Sequence, residues 1–138
     1  MINEAHFTLA YWCVLIAAIL PIACAGLAKW GMFAKPRKDG GFDNHNPRAW
    51  LAQQTDWRAH ANGAQANSFE ALPFFLAAVI IAHQLGAAQT PLDLLCFLWL
   101  LLRTMFIITY VGDMPTIRSV LWLAAVLTNV WILFLGYR

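Results

Sequence analysis

The chain has 138 residues, 61% of them hydrophobic and only 12% charged, with mean hydropathy +0.59 and a formal net charge of +2. Soluble domains carry about a quarter charged residues, so this composition excludes a soluble enzyme, a disordered tail and a nucleic-acid-binding domain. It describes a membrane protein, whose few charges mark where stretches long enough to cross lipid begin and end.

The first apolar run, from about Phe7 to Gly31, has no charge before Lys29 and predicts a transmembrane helix over about 5–33, kinked at Pro21. It reads as a retained helix and not a secretory signal: Met1 to His6 holds Glu4 and no Lys or Arg, and the run is longer than the roughly 7–15 apolar residues of a signal segment. A polar segment over about 34–56 follows, with Lys35, Arg37, Lys38 and Arg48 and a turn signal at Gly40-Gly41. It is the one long connection, the kind of segment in which function concentrates.

The second helix is expected over about 57–86, amphipathic from Trp57 to Ala66 and then apolar to Leu85 apart from Glu70 and His83. Helices over about 91–112 and 116–136 follow, joined by the tight turn Gly112-Asp113-Met114-Pro115. One long loop and two short turns make an all-α, up-down-up-down transmembrane bundle that occupies the whole chain as a single domain. Lys29, Lys35, Arg37, Lys38, Arg48 and Arg58 surround the first loop and Arg118 lies at the last turn, against Arg138 alone on the other side. Positive charge is retained inside, so the first loop is expected in the cytoplasm and both termini outside. Trp12, Trp30, Trp57, Trp131 and Tyr137 fall where interfacial anchors belong, and a chain without targeting or retention signals suits a bacterial inner membrane.

Cys13, Cys24 and Cys96 lie in apolar runs without a CxxC pair, and His6, His45, His60 and His83 are scattered, so neither a disulfide framework nor a metal site is expected. The chemistry is sought instead in the polar groups within the spans, because charge in hydrocarbon is costly and persists where it is paired, hydrated or used. Asn67 and Glu70 share a face of the second helix, extended by Gly63 and Phe74. Arg103, Phe106 and Tyr110 share a face of the third, and Arg118, Trp122, Ala125 and Asn129 one of the fourth. A structural account pairs Glu70 with Arg103, lets Arg118 snorkel and uses Asn67 as a bridge between helices. Two arginines, a glutamate, two amides and a tyrosine at one depth exceed what packing needs, and they describe a polar, anion-accepting pocket.

The run Ala64-Gln65-Ala66-Asn67-Ser68-Phe69-Glu70-Ala71-Leu72-Pro73 resembles the Asn-x-x-Glu-x-x-Pro signature of the MAPEG superfamily, the membrane-associated proteins in eicosanoid and glutathione metabolism. Arg103 to Tyr110, followed by Ile117-Arg118-Ser119-Val120, resembles that family's third-helix tyrosine and fourth-helix arginine, with the Arg-Ser pair similar to the prostaglandin E synthase branch. The resemblance covers essentially the whole chain. It implies a left-handed bundle that assembles as a homotrimer, with glutathione as co-substrate between neighbouring subunits near the cytosolic face. Asn67, Glu70 and Tyr110 would then bind glutathione, Arg118 would sit by its thiol, and Ser119 would assist by hydrogen bonding. An arginine beside sulfur favours the thiolate, the nucleophilic form.

The departures are equally specific. Many catalytic members of the family carry an arginine where this chain has Gly63, and a polar residue where it has Phe106. Arg103 and Arg48 are the candidate replacements for that charge. Arg58 begins a second pattern, Arg58-x-x-x-Asn62-x-x-Gln65, and is carried as a further binding candidate. The activity implied is glutathione-dependent transfer to, or peroxide reduction of, a lipophilic small molecule arriving through the membrane lipids. The alternative is a non-catalytic binding or scaffold member. A transporter subunit would need broken helices in paired repeats, which the chain lacks.

Overall fold

Backbone N–H and C=O groups that cross a bilayer find no water there and must pair within their own segment, which favours helices. The structure, a computed structural model, describes residues 6–137, and within them the chain is helical with no strand. Four long helices, α1 Leu9–Ala28, α3 Asp56–Gln84, α4 Gln89–Val111 and α5 Pro115–Phe134, are each long and apolar enough to span a membrane. The shorter α2, Pro47–Ala52, lies between the first two. The expectations for Glu4 and Arg138 fall outside the described residues.

The first helix is shorter than the expected 5–33. Its start is capped by Thr8, whose hydroxyl accepts from the Tyr11 N–H at 3.3 Å. It ends at Ala28, where Arg58 Nη1 donates to the Ala28 carbonyl at 2.9 Å and Gly31 turns the chain away with φ of 76°. Pro21 lies inside this helix, buried, as Pro73 lies inside α3.

The expected loop over 34–56 is largely folded. A 3-10 turn covers Arg37–Asp39 and α2 follows, pinned by a hydrogen bond from Trp50 Nε1 to the Gly40 carbonyl at 3.3 Å. Phe42 meets Trp50 edge-on at 5.2 Å and carries the Lys29 ammonium 4.7 Å from its ring centroid. Arg37 pairs with Asp43 at 3.2 Å; the His45 N–H, followed by Arg37, holds the Asp43 carboxyl below its ordinary range. Glycine, proline and charge read as breakers locally, yet Trp50 and Leu51 bury against Ala28 and Ala61 and give the segment a small core of its own.

α3 is the hub, packing most extensively on α1 and also on α4 and α5, while α4 packs mainly on α5. Small residues let the backbones approach: Ala10 and Ala17 of α1 and Ala78 and Ala82 of α3 are buried in the shared core. Phe75 and Trp99 stack at 3.8 Å across α3 and α4. Cys13, Cys24 and Cys96 are free and buried.

Beside the start of α1, the Thr8 hydroxyl meets His83 Nε2 at 3.2 Å and the Tyr11 ring stacks on His83 at 4.3 Å. The Asp93 carboxylate accepts from the Ala10 N–H at 2.9 Å and from Gln89 at 2.7 Å. The start of α1 thus lies by the end of α3 and the start of α4, and its end lies by the start of α3.

Candidate functional site

The helical spacings bring the polar residues of α3, α4 and α5 together. Arg103 on α4 is 1% exposed and donates from Nη2 to Asn67 Oδ1 at 2.9 Å and to Ser68 Oγ at 3.4 Å. Its guanidinium also lies 4.2 Å over the Phe106 ring. Asn67 turns its own Nδ2 toward Glu70 Oε2 at 3.5 Å, a long contact.

The Glu70–Arg103 ion pair of the structural account is not formed. Among the described residues the ion pairs are Arg37–Asp43 at 3.2 Å and His60–Asp113 at 4.0 Å. Arg103 is therefore a buried cation held by neutral oxygens, while Glu70 is exposed on the flank of α3. A packing pair would have neutralised both; here the cation is engaged by Asn67 and Ser68 and the carboxylate stays exposed.

Arg118, at the start of α5, lies 4.2 Å over the Tyr110 ring, which in turn meets Phe106 edge-on at 5.6 Å. These residues with Asn67, Ser119 and Trp122 line a cleft of about 300 Å³. The Ser119 hydroxyl donates to the Pro115 carbonyl at 2.9 Å, so its hydrogen is engaged along its own helix and its lone pairs are free to accept. A second cleft, of about 220 Å³, adjoins the first through Asn67 and Trp122 and runs to Arg103, Trp99 and Asn129.

Gly63, a departure in the sequence, has a structural reason. A Cβ built there would lie 2.5 Å from the Tyr110 hydroxyl, so the tyrosine packs directly on the α3 backbone where an arginine would otherwise stand. Phe106, the other departure, is buried beneath Arg103.

Two of the proposed charges lie elsewhere. Arg58 stacks on Trp57 at 4.3 Å and joins α3 to the end of α1, away from both clefts. Arg48 lines a separate groove of about 300 Å³ with Asn62, Gln65 and Phe69. Reading by residue type missed Ser68, which shares Arg103, and Trp99, which lies one helical turn before Arg103 on the same face and was legible by that spacing. It also passed over His60, whose Nε2 lies 4.0 Å from Asp113 and whose ring is 6.2 Å from that of Tyr110. Nothing local to His60 announces this, because Asp113 comes from the α4–α5 turn.

Fold and site together define a multi-pass helical membrane protein with a polar site built into its spans. Residues 9–137 match the model of the MAPEG family, and the protein belongs to that family, within the superfamily of glutathione and eicosanoid metabolism. Neither a curated protein nor a solved structure matches the chain.

Proposed function

We propose that the protein is a glutathione-dependent transferase or peroxidase acting on lipophilic electrophiles by thiolate attack. The observation that carries this reading is the Arg118 guanidinium, held 4.2 Å over Tyr110 at a cleft whose wall also includes Asn67 and Ser119. A fixed cation at such a cleft lowers the pKa of a nearby thiol, and the sulfur then attacks an acceptor arriving from the bilayer. In this reading Asn67, Glu70 and Tyr110 hold the tripeptide's polar backbone, Arg103 fixes Asn67, and Ser119 accepts a hydrogen bond. Arg58 serves the α1–α3 junction.

The same reading takes the chain as an up-down-up-down bundle that forms a homotrimer, with the first loop cytoplasmic and both termini outside, in a bacterial inner membrane. Support for assembly comes from Glu70, a carboxylate exposed on the flank of a membrane-spanning helix, where lipid alone would leave it unpaired. A second reading, a non-catalytic binding or scaffold member, is favoured by Gly63, where Tyr110 occupies the place of a cation that would hold a glutathione carboxylate.

The test is calorimetric titration of the lipid-supplemented protein with glutathione, followed in parallel by the ultraviolet absorbance of the thiolate. Binding with a thiolate signal at neutral pH is the expected result. Binding without that signal supports the non-catalytic reading, and absence of binding overturns the glutathione site.

A further inference from the structure

Two residues that line the cleft between α3, α4 and α5 each carry a buried polar atom without a partner. The Trp99 indole Nε1 and the Asn129 Oδ1 make no hydrogen bond. Trp99 is 2% and Asn129 3% exposed, and both line the cleft of about 220 Å³. The Arg103 guanidinium in the same wall is engaged with Asn67 and Ser68. Buried polar groups are satisfied almost without exception, and the hydrocarbon around a spanning bundle offers no bulk water to satisfy them.

The two orphans are complementary in kind. An indole N–H can only donate and an amide oxygen can only accept, so a hydroxyl, which accepts once and donates once, matches the chemistry of both. The space sets the body attached to that hydroxyl. A cavity of about 150 Å³ holds benzene, so about 220 Å³ accommodates an aromatic ring with its substituent atoms. Phe74, Trp99 and Trp122 line the cleft and offer aromatic surfaces to such a ring.

We infer that this cleft binds the phenol-type ring of a lipid-soluble molecule, whose oxygen accepts from Trp99 Nε1–H and whose O–H donates to Asn129 Oδ1. Neither residue is among those proposed to hold glutathione, although Asn67, Glu70 and Arg103 of that machinery line other parts of the same cleft. Because the two clefts share Asn67 and Trp122, the bound ring lies beside the Arg118–Tyr110 cleft without occupying it.

The experiment uses three probes, 4-hexylphenol, its methyl ether and 4-hexyltoluene, titrated into the full chain in phosphatidylcholine nanodiscs, with empty nanodiscs correcting for partition into lipid. The phenol is expected to bind tightest. The ether, which accepts but cannot donate, is expected to be about three- to tenfold weaker, and the hydrocarbon weaker again. Asn129→Leu should remove the preference for phenol over ether, and Trp99→Phe, which keeps the stack on Phe75, should remove that for ether over hydrocarbon. Glutathione titrations of the same samples should be unchanged by either variant, which separates this inference from the fate of the glutathione site. Equal binding of all three probes to the unaltered protein would mean that water satisfies the two groups, and would overturn the proposal, as would variants that keep the full preference. The probe series on the unaltered chain decides the matter even if one variant fails to fold.

Discussion

Two polar regions of the bundle use their residues differently. Beside the start of α1, Thr8 pairs with His83, hydroxyl to imidazole at 3.2 Å, and the Asp93 carboxylate accepts from the Ala10 N–H at 2.9 Å and from Gln89 at 2.7 Å. At the other polar cluster, among α3, α4 and α5, Arg103 is buried without a carboxylate, Glu70 is exposed on the flank of its helix, and Trp99 and Asn129 each keep an unpartnered atom. Packing explains the first arrangement, because the Thr8–His83 pair and the Ala10 N–H and Gln89 donors are each matched. It leaves the second incomplete, with buried polar atoms that the packing does not satisfy.

Substitutions can break or sharpen this contrast. Arg118→Ala should have the largest effect, a loss on the order of 10²–10³-fold in conjugation rate, as for removal of a preorganised charge-stabilising group. Steady-state turnover with an aryl halide acceptor measures it, and size-exclusion chromatography should show the assembly unchanged. Glu70→Gln should weaken glutathione binding by about tenfold or more, the range for a hydrogen bond to a charged group, in the calorimetric titration. An unchanged affinity would return Glu70 to a structural role.

Gly63→Ala should act more gently. The new methyl meets the Tyr110 hydroxyl, and overpacking costs about 1–3 kcal/mol, shared between thermal stability and a few-fold loss of glutathione affinity as the ring is displaced. Asp93→Ala marks the other side of the comparison. It strands the Ala10 N–H and should lower stability by about 1–3 kcal/mol in thermal unfolding while leaving glutathione affinity where it was. If Asp93→Ala altered affinity as much as Glu70→Gln does, the two regions would not be distinct units.

Much of this molecule is legible without coordinates. The apolar runs identified four spans, since the length of a helix in lipid follows from bilayer thickness and a rise of about 1.5 Å per residue. Spacing by three and four grouped Asn67 with Glu70 and Arg103 with Tyr110, because neighbours on a helix face are fixed by its pitch. Where the reading failed, a contact came from far along the chain. Arg58, a binding candidate by sequence, caps α1 across 30 positions; the polar segment over 34–56 folds because Trp50 reaches Gly40 and packs near Ala28.

Composition and periodicity alone determined that this chain lives in a membrane, how many helices are long and apolar enough to cross it and which polar residues share a face, because these depend on local pitch and on transfer from water to lipid. Only the tertiary structure decided which of those polar residues are satisfied. It left Glu70 and Arg103 unpaired, set Tyr110 on the bare backbone of Gly63, and enclosed Trp99 and Asn129 in one cleft. Hydrogen-bond partnership depends on distances of about 3 Å between helices, and no spacing within a single helix specifies those.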